Sequence, residues 1–187
     1  MILDIKQYPS PTLRKRAQEI VAVDEEIKKL GQDMTETMIA KKGVGLAANQ
    51  VGILKRIIVV QMENGPEVFI DPVIIKRQGT IIMDTEGCLS VPDLWLEIKR
   101  VAEIEVRALN LDGESVKIKA KGFVARIFQH EIDHLNGIEF VTHVSDDDKL
   151  HWVEKNEFPE YRNNEGWRNW PNKCPREKWE RIKGIRK

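Results

Sequence analysis

The segment His130-Glu131-Ile132-Asp133-His134 determines how the rest of this chain is interpreted. Residues four apart on an α-helix are only about 40° out of line, so His130 and His134 project from one helix face and can share a metal ion. Glu131 is rotated away from both histidines, which makes it a poor third ligand but suits it to handle a proton on metal-bound water. The alternative is a helix that uses its histidines only for packing, and the three specified residues favour the metal site.

The residues around this segment predict a single helix over 123–135. Asn136-Gly137 supplies a left-handed stop at its carboxyl end. The apolar residues that recur at helical spacing are Phe123, Val124, Ile127, Phe128, Ile132 and Leu135.

A catalytic metal needs a third protein ligand from elsewhere in the chain. The remaining histidines and the two cysteines supply the candidates His143, His151, Cys88 and Cys174. Cys88 lies in residues 86–90 (EGCLS), after the β-prone run 80–83, and the glycine before it lets the backbone come close to a metal.

Three segments resemble the signature motifs of peptide deformylases, in the family's order and spacing. Residues 43–50 (GVGLAANQ) are similar to the first motif, residues 86–90 to the second and residues 130–137 (HEIDHLNG) to the third. The resemblance covers roughly residues 1–145. It implies an α+β fold of antiparallel β-sheets packed around a central metal-binding helix, and the predicted strands followed by one late helix agree with that class.

The resemblance also implies an enzyme that removes the formyl group from the N-terminal formylmethionine of newly made polypeptides. Cys88, His130 and His134 would hold one divalent metal ion and leave a position for water. Iron(II) is the expected metal, and zinc, nickel or cobalt would also suit these ligands. Metal-bound hydroxide would attack the formyl carbon, with Glu131 as general base and then general acid.

The oxyanion formed in such a reaction needs hydrogen-bond donors. The resemblance implies the side-chain amide of Gln50 and the backbone N–H of Leu89. Taken alone, residues 43–52 would be interpreted as a glycine-rich turn. Beside the other two motifs they are interpreted as a wall of the active site.

An apolar pocket beside the metal helix would select methionine. Arg126 would line its rim, where it could pair with Glu86. The backbone of Gly45 and of the residues after Gly87 would hold the peptide as an added strand. The candidate pocket residues are Val44, Phe123 and Ile127.

Length and composition indicate one globular domain with an appendage. The chain has 187 residues, 41% of them hydrophobic, and its 30 basic residues balance its 30 acidic ones. No overall charge favours DNA or a membrane as partner, and no apolar run approaches the ~20 residues needed to span a bilayer. The amino terminus lacks the apolar core of a signal peptide, and a thiolate ligand favours a reducing compartment, so the expected location is the cytoplasm.

The pattern predicts two further helices and a β-rich middle. A short helix begins at Pro11, and a longer one begins at Asp24 and stops before Gly43, with a core-facing stripe that includes Met34 and Met38. The predicted strands are 56–61, 68–76, 80–83, 103–109 and 115–120.

The carboxyl-terminal segment 146–187 departs from the family pattern and is predicted to be an extension of a catalytic domain that spans 1–145. It holds four of the five tryptophans, and from residue 151 onward ten Lys and Arg residues exceed six Asp and Glu residues. One interpretation is that the tryptophans pin an irregular extension onto the domain. The other is a transient contact with the ribosome through a basic, aromatic surface.

Two other functions compete with deformylation. A zinc peptidase with the same helix would take its third ligand downstream, from His143 or His151. A closed structural zinc site would combine Cys88 and both helix histidines with Cys174.

Overall fold

The computed structural model describes residues 1–143 and 150–152 of the chain. Its two α-helices are α1 (Glu25–Ala40) and α2 (Gly122–Leu135). Three short 3-10 helices span Pro11–Arg14, Ala48–Val51 and Phe140–His143. Within the described ranges, neither helix is long and apolar enough to cross a bilayer.

The strands form one antiparallel sheet. Its order is β1-β2-β3-β4-β5, and β6 pairs with β4. The strand bounds are β1 (Gly45–Ala47), β2 (Ile57–Met62), β3 (Gly65–Cys88), β4 (Val91–Leu109), β5 (Ser115–Lys121) and β6 (Leu150–Trp152). An antiparallel sheet with two helices confirms the predicted α+β class.

Strands β3 and β4 are much longer than predicted. The predicted strands 68–76 and 80–83 are parts of β3, and β4 begins at Val91 rather than near residue 103. The β3–β4 pairing shifts register at four places, one of them between Gln78 and Ile81. Such bulges break the alternation of apolar and polar residues, so the sequence pattern shows separate short strands where the chain is continuous.

The two helices pack on opposite sides of β2. Successive residues of a strand point to opposite faces, so Ile57 and Val59 join the α1 cluster while Ile58 and Val60 join the α2 cluster. The predicted Met34 and Met38 stripe is fully buried in the α1 cluster, as expected. Apolar burial on both sides of this strand fixes the position of α2 over the sheet.

The carboxyl end of α2 is fixed by Gly137 and by the amino-terminal segment. Gly137 adopts φ +73°, and a Cβ there would lie 2.5 Å from the carbonyl oxygen of Arg14. The backbone N–H of Ala17 donates to the carbonyl of Leu135 at 2.8 Å. The predicted stop at Asn136-Gly137 is confirmed.

The predicted extension 146–187 falls mainly outside the described residues. Its described part, Leu150–Trp152, forms β6 and pairs with residues 94–96 of β4, so these three residues belong to the same sheet as the rest of the domain.

Candidate metal centre

A thiol and two imidazoles meet between β3 and α2. Cys88 ends β3, and His130 and His134 lie one turn apart on α2. Their ligand atoms all lie within 4.8 Å of one another, and Cys88 Sγ is 3.3 Å from His134 Nε2. One sulfur and two nitrogen donors suit a divalent transition metal such as zinc or iron(II), so these residues could hold the metal expected from sequence.

His143, the one other candidate ligand whose side chain the structure describes, does not join this group. His143 Nε2 lies 2.9 Å from Asp133 Oδ2 instead. The side chain of His151 and all of Cys174 lie outside the part of the chain that the structure describes.

The environment of Cys88 favours its thiolate. Burial raises the pKa of the thiol, but the charges and hydrogen bonds of His134 and His130 outweigh burial and lower that pKa from 9.0 to about 5. The side chain is therefore ionised at neutral pH, which is the form that binds metal.

A buried carboxylate orients His130. Glu86 Oε2 accepts a hydrogen bond from His130 Nδ1 at 2.9 Å, which leaves Nε2 of that ring free to face a metal. Arg100 donates to both oxygens of Glu86 at 2.8 and 3.0 Å. Burial raises the pKa of Glu86, but the hydrogen bonds from His130 and Arg100 hold it well below its usual range.

Arg126 lies beneath the site rather than at the rim of a pocket. Its side chain donates to Glu86 Oε1 at 2.7 Å, the pairing suggested from sequence. It also donates to the carbonyls of Ile98 and Ile82 at 2.9 Å each, and the residue is only 5% exposed. Its donors are directed to groups inside the protein. The expectation that Arg126 lines the rim of a pocket is therefore wrong, and the residue instead connects α2 to β3 and β4 from a buried position.

Glu131 faces the glycine-rich segment from α2. A Cβ on Gly45 would overlap Glu131 Oε1, so only glycine leaves room for the carboxylate. Glu131 Oε2 is buried and has no hydrogen-bond partner among the described residues. Burial raises the pKa of Glu131 from 4.5 to about 7 against the opposing charges of His130 and His134. A carboxyl with this pKa exchanges protons readily near neutral pH.

Gln50 presents its amide nitrogen to the same site. Its Oε1 accepts from the backbone N–H of Ala47 at 2.8 Å, which fixes the orientation of the amide. Its Nε2 lies 3.2 Å from Ser90 Oγ and 3.5 Å from Cys88 Sγ. Leu89 follows Cys88 in the turn between β3 and β4, and its carbonyl accepts from the Gln7 side chain at 3.1 Å.

The other predicted substrate residues differ in exposure. Val44, which precedes β1, is 43% exposed, and Phe123 in the first turn of α2 is 60% exposed, whereas Ile127 is buried beside Gly45 of β1. Strand β1 is at one end of the sheet order, and among the described strands only β2 pairs with it. The other edge of β1 can therefore accept an extended peptide.

Arg100 is the site residue that sequence reasoning missed. Besides Glu86, it contacts Asp133, with Arg100 Nη1 and Asp133 Oδ2 2.5 Å apart. The sequence does carry a sign of this, because Leu94, Leu96 and Ile98 alternate with the less buried Trp95, Glu97 and Lys99, and Arg100 continues the buried face.

The chain matches one protein family over most of its length. The family model described as Polypeptide deformylase matches residues 2–150. The peptide deformylase of Desulforudis audaxviator is 45% identical over 141 residues, which are 75% of this chain and 92% of that protein.

Solved structures show the same fold. The crystal structure of peptide deformylase from Thermotoga maritima aligns with a TM-score of 0.75 and 42% identity, covering 78% of this chain and 99% of that one. A peptide deformylase from Synechococcus elongatus in complex with actinonin aligns with a TM-score of 0.75 and 38% identity, covering 77% and 79%.

Proposed function

Because this chain belongs to the peptide deformylase family of hydrolases, we propose that it removes the formyl group from the N-terminal formylmethionine of newly made polypeptides. The observation that carries the proposal is the grouping of Cys88, His130 and His134 beside the buried carboxyl of Glu131. Since its substrate comes from the ribosome, the enzyme acts in the cytoplasm.

The three ligands would hold one divalent metal ion, with iron(II) as the proposed working metal and zinc, nickel or cobalt as substitutes. When bound, such an ion lowers the pKa of a coordinated water toward neutrality and polarises the formyl carbonyl. Cys88 and His130 are prepared for this role, since Cys88 is ionised at neutral pH and the Nδ1 of His130 is held by Glu86.

Glu131 moves the proton. Its carboxylate takes a proton from the attacking water while the water oxygen bonds to the formyl carbon. It then delivers that proton to the methionine nitrogen as the carbon–nitrogen bond breaks, which gives formate and a free amino terminus. The raised pKa supports both steps, because a carboxyl with a pKa of about 7 is partly ionised and partly protonated at neutral pH.

Gln50 and Leu89 stabilise the oxyanion in this proposal. The Gln50 amide is fixed through its oxygen, so its Nε2–H remains directed into the site. The backbone N–H of Leu89 is the second donor. Loss of one such donor typically costs on the order of 10²–10³ in rate.

The substrate lies along β1 as an added strand. The free edge at Gly45 supplies main-chain hydrogen bonds, while Val44, Phe123 and Ile127 contact the methionine side chain. Arg126, which precedes Ile127 on α2, ties this helix to β3 through the carbonyl of Ile82.

Formate release from a formyl-Met tripeptide tests the function. We expect release by protein prepared without oxygen and loaded with iron(II) or nickel, and a loss of at least about 10²-fold in Glu131→Gln, because that amide cannot accept a proton. Unchanged metal content in the variant shows that its site is intact. Cleavage of unformylated peptides, or equal activity in Glu131→Gln, would contradict the proposal.

A further inference from the structure

A second buried carboxylate, Glu139, lies shortly after the carboxyl end of α2. Glu139 is 5% exposed, and its Oε2 accepts a hydrogen bond from Arg14 Nε at 3.0 Å. The guanidinium of Arg14 also lies over the ring of Tyr8, 5.6 Å from the ring centre. Arg14 is thus held from two sides, and it holds one oxygen of Glu139 in place.

The other oxygen of Glu139 and one nitrogen of His134 are both unsatisfied. Glu139 Oε1 is buried and has no hydrogen-bond partner within the described residues, and the same is true of His134 Nδ1. Burying a polar atom without a partner is costly, so each of these atoms needs a hydrogen bond in the working protein.

Two contacts hold the residues on either side of Glu139 against the ligand helix. The chain folds back after α2, with the N–H of Ile138 donating to the carbonyl of Asp133 at 2.9 Å. The ring of Phe140 makes an edge-type contact with the ring of His130, with ring centres 5.6 Å apart.

The other ligand histidine shows what such an arrangement does. His130 donates its Nδ1–H directly to Glu86, and arginines hold both oxygens of that carboxylate. A carboxylate behind a metal-bound imidazole fixes its tautomer and orientation and makes it a better ligand.

We propose that Glu139, held by Arg14, is the positioning residue of His134 and accepts its Nδ1–H through one bridging water. A buried site with two polar partners suits such a water. Each ligand histidine then has its own buried carboxylate backed by arginine. This inference rests on metal binding by Cys88, His130 and His134, which the proposed function requires.

Metal binding by the full chain tests this role without any assay of deformylation. Cobalt(II) affinity is measured by competition with a chelator, and the visible spectrum of the bound cobalt reports its geometry. Loss of a carboxylate behind a ligand typically costs 10–100-fold in metal affinity. We expect a loss of about that size in Glu139→Gln, with a changed spectrum, and partial recovery in Glu139→Asp.

Two further variants separate positioning from a purely structural ion pair. Arg14→Gln keeps the Glu139 carboxylate but removes the guanidinium that holds its Oε2. We expect the cobalt affinity of this variant to be at least several-fold weaker than that of the unaltered protein. Thr142→Ala is the matched control, because its hydroxyl donates to the Glu139 carbonyl at 2.7 Å and not to the carboxylate. Its affinity should be unchanged.

Cobalt affinity within twofold of the unaltered protein in both Glu139→Gln and Arg14→Gln would overturn the inference, whatever their melting temperatures. Tight cobalt binding by the unaltered protein without formate release would overturn the proposed function instead, so the two failures are distinguishable.

Discussion

At the scale of single residues, the same buried site moves two pKa values in opposite directions. Burial disfavours the charged form of both Cys88 and Glu131. For Cys88 the adjacent histidines win and the pKa falls to about 5, whereas for Glu131 burial wins and the pKa rises to about 7. Proximity decides the difference, since Cys88 Sγ touches His134 Nε2 while Glu131 Oε2 has no partner in the described structure.

The pKa of Cys88 can be measured in metal-free protein by thiolate absorbance near 240 nm. We expect a transition near pH 5 that is absent in Cys88→Ser, the variant in which only the other cysteine ionises. The folded pKa is below the ordinary value of 9.0, so ionised Cys88 stabilises the fold fully above that ordinary value. The contribution is lost as the pH falls through about 5. A transition near pH 9 would contradict the expectation.

At the scale of elements, Arg126 joins α2 to the β3–β4 hairpin. It donates to Glu86, which precedes Cys88 by two residues, and to the carbonyls of Ile82 and Ile98 on the two long strands. The helix carrying two ligands and the strand carrying the third are therefore tied by one buried side chain. Arg100 makes the same connection through Glu86 and Asp133.

Replacing Arg126 with methionine keeps its bulk but removes every one of these hydrogen bonds. The buried Glu86 and two carbonyls then lose a partner, so we expect unfolding to become easier by about 3 kcal/mol or more. Urea unfolding of the metal-free protein measures this. Arg107→Met on the exposed face of β4 is the control, with an expected change within about 0.5 kcal/mol. Equal effects of the two substitutions would show that Arg126 is not a link.

At the scale of the whole molecule, the site lies between the sheet and α2, within residues 1–143. The proposed metal ligands, Glu131 and Gln50 all lie in that part, and β6 adds only a short strand to β4. The remainder, 153–187, lies outside the described residues. Both of its predicted roles, an extension pinned onto the domain by its tryptophans and a basic, aromatic contact to the ribosome, stay predictions.

A chain ending at residue 152 tests whether catalysis and ribosome contact belong to different parts of the protein. It keeps β6 and every proposed site residue, so we expect formate release within about twofold of the full chain. Co-sedimentation with ribosomes should weaken, because the excess positive charge of the tail is removed. Unchanged co-sedimentation would remove the ribosome hypothesis, and a large loss of activity would show that the tail contributes to the site.

The sequence by itself determined the features that depend on local spacing. The placement of His130, Glu131 and His134 on one helix, its stop at Asn136-Gly137 and the methionine stripe of α1 follow from a period of 3.6 residues. The three motifs also indicated the family and, through it, the α+β class.

Only the tertiary structure decided features that join distant parts of the chain. It buried Arg126 beside Glu86, paired Arg100 with the same carboxylate and buried Glu139 against Arg14. It also brought Cys88, the third ligand that the motifs implied, to the histidines. The β-bulges interrupt the alternating pattern of β3, so the sequence did not show its full length. Local periodicity also does not show which residues that are distant in sequence contact each other. These contacts depend on how the whole chain packs, and a single stretch of sequence does not contain that information.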